Sequence, residues 1–107
     1  MEPLAIASTN SMRHLDRVIE WLLVALDLAD VTGVWLYGSY VRGAPDARDV
    51  DVMVRFKDGR ADHAVKLRRR IEAEFEREFA LPLHAIFLSE REFREEATHV
   101  FVVLREA

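Results

Sequence analysis

The chain has 107 residues, 50% of them apolar and 32% charged, as expected of one soluble globular domain spanning 1–107. It has no cysteine, which excludes disulfides, thiolate metal sites and cysteine nucleophiles. With 15 Lys and Arg against 19 Asp and Glu, the net charge of -4 argues mildly against a standing nucleic-acid surface, though not against a nucleotide whose charge a metal offsets. No apolar run is long enough to span a membrane and no signal peptide is evident, so cytoplasmic residence is the expectation.

Residues 1–7 carry no clear signal and read as loose, and Ser8-Thr9-Asn10-Ser11 is a cluster of helix-capping residues. Over 12–29, Leu15, Ile19, Leu22 and Leu26 recur at helical spacing, with Val18 and Leu23 widening the stripe. The spacing predicts an amphipathic helix packed on the domain's own core. Residues 30–33 make the turn into a short buried strand at 34–37. A second strand is predicted over 49–56 and ends at the Lys57-Asp58-Gly59 turn. A second long helix follows over 61–79, its buried stripe marked by Ala64, Leu67, Ile71, Phe75 and Phe79. Arg68-Arg69-Arg70 faces Glu72, Glu74 and Glu76 at or near i+4, which reads as ion pairing on a solvated face rather than a nucleic-acid patch.

Leu81-Pro82 breaks that helix, and 83–88 reads as a third strand. Ser89 followed by Glu92 is a capping box that opens a helix to about Ala97. The end, 99–107, is ambiguous. V-F-V-V-L favours a strand, and the R-E-A ending favours a short helix. The order predicts an α/β (α+β) domain with a single small mixed β-sheet, covered by helices on one face.

The stretch 35–54 organises the rest. Gly38 has no Cβ and lets backbone approach a ligand closely, and Ser39 suits an N-cap. Together they read as a phosphate seat at the start of a helical turn. Gly43 and Pro45-Asp46 end the turn. On the next strand Asp49 and Asp51 are two apart, so both carboxylates leave one face, while Val50, Val52 and Val54 face apolar cover. Adjacent carboxylates repel, and a divalent cation is the simplest reason to hold them together. Hard Mg²⁺ takes one or two carboxylates plus phosphate oxygens. The pair beside a phosphate seat therefore points to a metal-bound nucleoside triphosphate.

These residues resemble the minimal nucleotidyltransferases of the DNA polymerase beta superfamily, whose signature is G-S, a loop, then D-x-D. Here Gly38-Ser39 precedes Asp49-Val50-Asp51 by nine residues, and Tyr40 to Gly43 is similar to the G-S-x-A-R-G form of the motif, with Arg48 where a small residue is common. The resemblance implies the polymerase-beta-like fold and favours a helix at the C-terminus. It implies that Asp49 and Asp51 hold Mg²⁺, that Gly38 and Ser39 hold the β- and γ-phosphates, and that Arg42 or Arg48 adds charge there. The family's third carboxylate commonly stands second on the strand after the long helix, where this chain has His84. Its two-metal site is thereby incomplete. His84 is a candidate general base or nitrogen ligand, or else a tolerated replacement in an impaired site. His14, His63 and His99 show no metal-ligand spacing.

Two functions follow. The first is Mg²⁺-dependent transfer of a nucleoside monophosphate, AMP from ATP, to a hydroxyl of a separate acceptor protein. Stand-alone chains of this kind resemble the antitoxins of toxin–antitoxin pairs, which implies an all-helical toxin as that acceptor. The second is a nucleotide-binding or protein-binding module that neutralises a partner by contact. Base preference and homo-oligomerisation are left open by the sequence.

Overall fold

A computed structural model describes the backbone of residues 3–96 and 102–106, and side chains from 14 to 95. The elements in order are α1 (Pro3–Ala25), β1 (Val31–Tyr37), α2 (Gly38–Val41), β2 (Val50–Phe56), α3 (Ala61–Phe79), β3 (Leu83–Ser89), α4 (Glu90–Glu96) and β4 (Val102–Glu106). The four strands form one mixed sheet in the order β3-β2-β1-β4. β1 is antiparallel to both its neighbours, and β2 runs parallel to β3. A parallel pair needs a crossover, and α3 supplies it.

Strand alternation separates the two faces of the sheet. On one face Val34, Leu36, Val50, Val52, Val54, Leu83 and Ala85 meet Val18 and Leu22 of α1, Leu26 just past its end, and Ile71 and Phe75 of α3. The helical contributors are spaced four apart, so each helix turns a single stripe to the sheet. Phe75, Leu22 and Leu26 are wholly buried, and each such side chain contributes about 1.5–3 kcal/mol through burial.

The structure departs from the sequence reading in several places. α1 begins at Pro3, not near 12, because proline's fixed φ suits the first helical position. The helix ends at Ala25, four residues before the expected end, where Asp27 N–H bonds Val24 O and Leu28 N–H bonds Leu26 O in tighter turns. Gly33 lies inside β1 rather than in a turn. The indole of Trp35 lies over it, and a Cβ at 33 would stand 2.2 Å from Trp35 Cη2. Residues 102–106 form a strand, not a helix, because β1 has a free edge that V-V-L-R-E pairs with antiparallel. His99 lies outside the described residues. Among the described residues, no helix is long and apolar enough to cross a membrane.

The second sheet face is not wholly open. α4 lies against β3 and β2 there, with Phe93 stacked on Trp35 at 4.6 Å between ring centroids. The Arg55 guanidinium sits 5.2 Å from the Trp35 ring and 5.1 Å from the Phe93 ring. It also donates to Thr32 Oγ1 at 2.9 Å and Thr32 O at 2.6 Å. The carboxylates sit on the same face towards the other end of the strands.

Candidate active site

Register assembles the site. β1 pairs Tyr37 with Asp51, and β2 pairs Asp51 with His84, so three side chains from three strands stand in one row. Directly paired residues share a face. Asp49 precedes β2 by one residue and keeps the parity of Asp51.

Asp51 is the centre of this row. Its Oδ1 lies 3.2 Å from His84 Nδ1. Its Oδ2 faces Gly38, where a Cβ would stand only 2.3 Å away. Gly38 also has φ +83, a conformation that strains any residue with a side chain. Glycine at 38 is therefore required twice over, by the turn and by the carboxylate against it. The side chain of Asp51 is 17% exposed and that of His84 63%, so the imidazole forms the open lip of a shielded carboxylate.

Tyr37 was not singled out from the sequence, yet it belongs to the cluster. Its phenol is raised above its ordinary range by burial, then by the negative charges of Asp51 and Asp49. Burial and both carboxylates therefore disfavour the ionised form of one hydroxyl. The signal that could have found it is the hairpin register, in which the last residue of the first strand faces the second carboxylate.

The Gly-Ser turn differs in detail from the sequence reading. Tyr37, not Ser39, occupies the N-cap position of α2, with no side-chain cap bond, and Ser39 lies within the helical turn. Ala44 N–H bonds Ser39 O and Gly43 N–H bonds Tyr40 O, closing the loop. Gly43 has φ +79, the left-handed conformation that ends the turn. His14 of α1 hydrogen-bonds the Tyr40 hydroxyl and packs edge-on to both Tyr40 and Phe79. Burial raises the Tyr40 phenol as well.

Arg42 and Arg48 are both exposed, and among the described residues neither forms an ion pair. Glu92 is occupied by the capping box at Ser89, as the sequence predicts, and does not enter the carboxylate cluster. Arg68 pairs with Glu72 at 3.9 Å, as expected, but Glu72 is half-buried and its Oε2 also accepts from Ala85 N–H of β3 at 3.3 Å, so it does not stand on a solvated face.

The nucleotidyltransferase domain family matches residues 19–107, which includes the strand, turn and carboxylate row just described. The chain belongs to that family. Its structure is similar to the 1.40 Å crystal structure of a Sulfolobus solfataricus protein assigned as a nucleotidyltransferase, with a TM-score of 0.57 and 25% identity over 89% of this chain and 84% of that one. None of the curated proteins matches the chain. Both likenesses agree with the sequence resemblance to the polymerase-beta-like transferases. Within this nucleotidyltransferase domain, Gly38, Ser39, Asp49, Asp51 and His84 converge on one end of one sheet face.

The donor set bears on the metal that the family implies. Among the described residues, no group of three or more His, Cys, Asp or Glu side chains is placed to hold a metal. Two carboxylates on one face, beside a backbone turn stripped of its Cβ, fit a cation that takes its remaining ligands from phosphate and water.

Proposed function

We propose that this nucleotidyltransferase domain moves AMP from ATP to a hydroxyl of a separate acceptor protein. Family membership supports nucleoside monophosphate transfer as the activity class. The observation that carries the finer reading is Asp51 wedged between Gly38 and His84, with Oδ2 towards the turn and Oδ1 towards the imidazole. That arrangement suits a triphosphate lying on the turn with its reacting phosphorus near the imidazole lip.

Asp49 and Asp51 would hold Mg²⁺, which when bound neutralises phosphate charge and orients the triphosphate. The turn from Gly38 to Val41 offers backbone N–H and the Ser39 hydroxyl to the β- and γ-phosphates. Exposed Arg42 and Arg48 are within the same loop and add positive charge at its mouth. In the transfer, the acceptor oxygen forms a bond to the α-phosphorus as the bridging bond to the β-phosphate breaks. Pyrophosphate leaves with the electron pair. With the Nδ1 proton directed at Asp51, the other ring nitrogen of His84, Nε2, accepts the proton of the acceptor hydroxyl. A fixed tautomer and ring orientation are what the carboxylate contributes to that step.

The acceptor in this reading is the all-helical toxin of a toxin–antitoxin pair, modified on a side-chain hydroxyl. A second reading is favoured by one observation. His84 stands in register with Asp51 at the place where the family commonly has a third carboxylate. A site with two carboxylates would hold nucleotide and transfer slowly, and the chain would then neutralise its partner by contact.

α-Labelled ATP with Mg²⁺ and host-cell lysate separates the two. The enzymatic reading predicts a protein band that acquires label with wild type and not with Asp49→Asn. A partner that co-purifies equally with wild type and Asp49→Asn, and never acquires label, would establish the contact reading instead.

A further inference from the structure

A cavity opens at the other end of the sheet from the carboxylates. It has a volume of about 620 Å³, within the range of about 300–1,000 Å³ typical of small-molecule sites. Its floor is apolar, built from Val31, Phe56, Phe87, Ala64 and Leu67, with Leu28 at the mouth. Leu28 is 39% exposed, an apolar side chain left in water beside the opening.

The rim is basic. Arg60 at the N-cap of α3 and His63, Lys66 and Arg70 within the helix line it, spaced three or four apart so that they share one side. The carboxylate on the rim is Asp30, 3.6 Å from both Arg60 Nε and His63 Nδ1. Asp30 thus offsets the two residues nearest it and leaves Lys66 and Arg70 further along the helix. A local excess of positive charge over an apolar floor stands out in a chain of net charge -4. It is separate from the nucleotide site, since none of Gly38, Asp49, Asp51 and His84 lines it.

We propose that this cavity binds a small amphipathic organic anion, an apolar chain or ring ending in a carboxylate. The apolar body lies on Phe56 and Phe87, and the charged end meets Lys66 and Arg70. An apolar floor alone would take neutral solutes, and a basic rim alone would take inorganic anions. The combination selects a molecule that has both parts, because each part then loses water against its own complement.

Octanoate, octanol and inorganic phosphate titrated separately into the ¹⁵N-labelled chain test this. Octanoate is expected to shift the amides of 28–31 and 60–67, with octanol and phosphate each weaker by about tenfold or more. In the Lys66→Glu, Arg70→Glu double variant, whose substitutions are at exposed positions, octanoate binding is expected to weaken by about tenfold or more, while the amide spectrum without ligand stays folded. A Lys66→Gln, Arg70→Gln variant gives the intermediate case. The proposal is overturned if octanol binds as tightly as octanoate, if phosphate alone does, if charge reversal leaves octanoate binding unchanged, or if the shifts fall at 38–51.

Discussion

At the scale of single residues, Gly38 carries the most consequence. Its φ of +83 and the approach of Asp51 Oδ2 leave no room for a methyl group. Left-handed backbone costs a residue with a Cβ about 1–2 kcal/mol, before any displacement of the carboxylate is counted. Gly38→Ala is therefore expected to lower stability by about 1–3 kcal/mol in denaturant unfolding and to abolish Mg²⁺-nucleotide binding. Unchanged unfolding and binding would show that the close approach is not needed. Ala80 gives the converse case. It closes α3 at φ 55, donating its N–H to Glu76 O, in the conformation where glycine is the usual choice. Ala80→Gly removes about 1–2 kcal/mol of strain and adds back about 0.4–1 kcal/mol of unfolded-chain freedom. A net gain of about 0.5–1 kcal/mol is expected in chemical denaturation, and a loss would contradict it.

At the scale of elements, α4 is the piece that decides how open the carboxylate face is. It is held at its start by the reciprocal bonds of Ser89 and Glu92, 2.9 Å and 3.1 Å, and by Arg91 N–H on Asp58 Oδ1 at 3.1 Å. It is held along its length by Phe93 on Trp35, under the Arg55 guanidinium. Ser89→Ala should cost about 1 kcal/mol and loosen this end, read as earlier amide exchange across Glu90–Glu96 than across α3. Equal protection in variant and wild type would place the hold on the aromatic stack alone.

The capping box was legible in the sequence because it is local: two residue types at a fixed spacing satisfy each other's backbone. The α3 stripe and the D-x-D alternation were legible for the same reason, since each is a period along one element. What the sequence hid depends on pairing between distant strands. Gly33 reads as turn chemistry and is instead a gap under the Trp35 ring. The strand at Val102–Glu106 is defined by the free edge of β1, which no local preference in R-E-A reveals. Arg55 in a valine-rich strand gave no sign that its guanidinium lies against the stacked Trp35 and Phe93 rings. Tyr37 entered the site only through register with Asp51.

At the scale of the whole molecule, the sheet works as a frame with two differently charged ends. One end carries the Gly-Ser turn, Asp49, Asp51 and the exposed His84. The other carries the apolar cavity under Arg60, His63, Lys66 and Arg70. The core between them is one continuous layer, Val18 and Leu22 of α1, Leu26 just past its end, and Ile71 and Phe75 of α3 on the valines of β2. α1 also reaches the site end, where His14 holds Tyr40 and ties the Gly-Ser turn to the helical layer. A rigid layer beneath and a short tied turn above are what a transferase needs to fix a triphosphate in line, since its chemistry rests on positioning and charge neutralisation.

The central claim is that the Asp49–Asp51 face is a working Mg²⁺-nucleotide site. Calorimetric titration of ATP with Mg²⁺ into wild type and into the Asp49→Asn, Asp51→Asn double variant tests it most directly. The account predicts saturable binding in wild type that needs the metal and is lost in the variant. Absence of binding in wild type, or equal binding in the variant, would contradict it and leave a transferase fold acting through protein contacts.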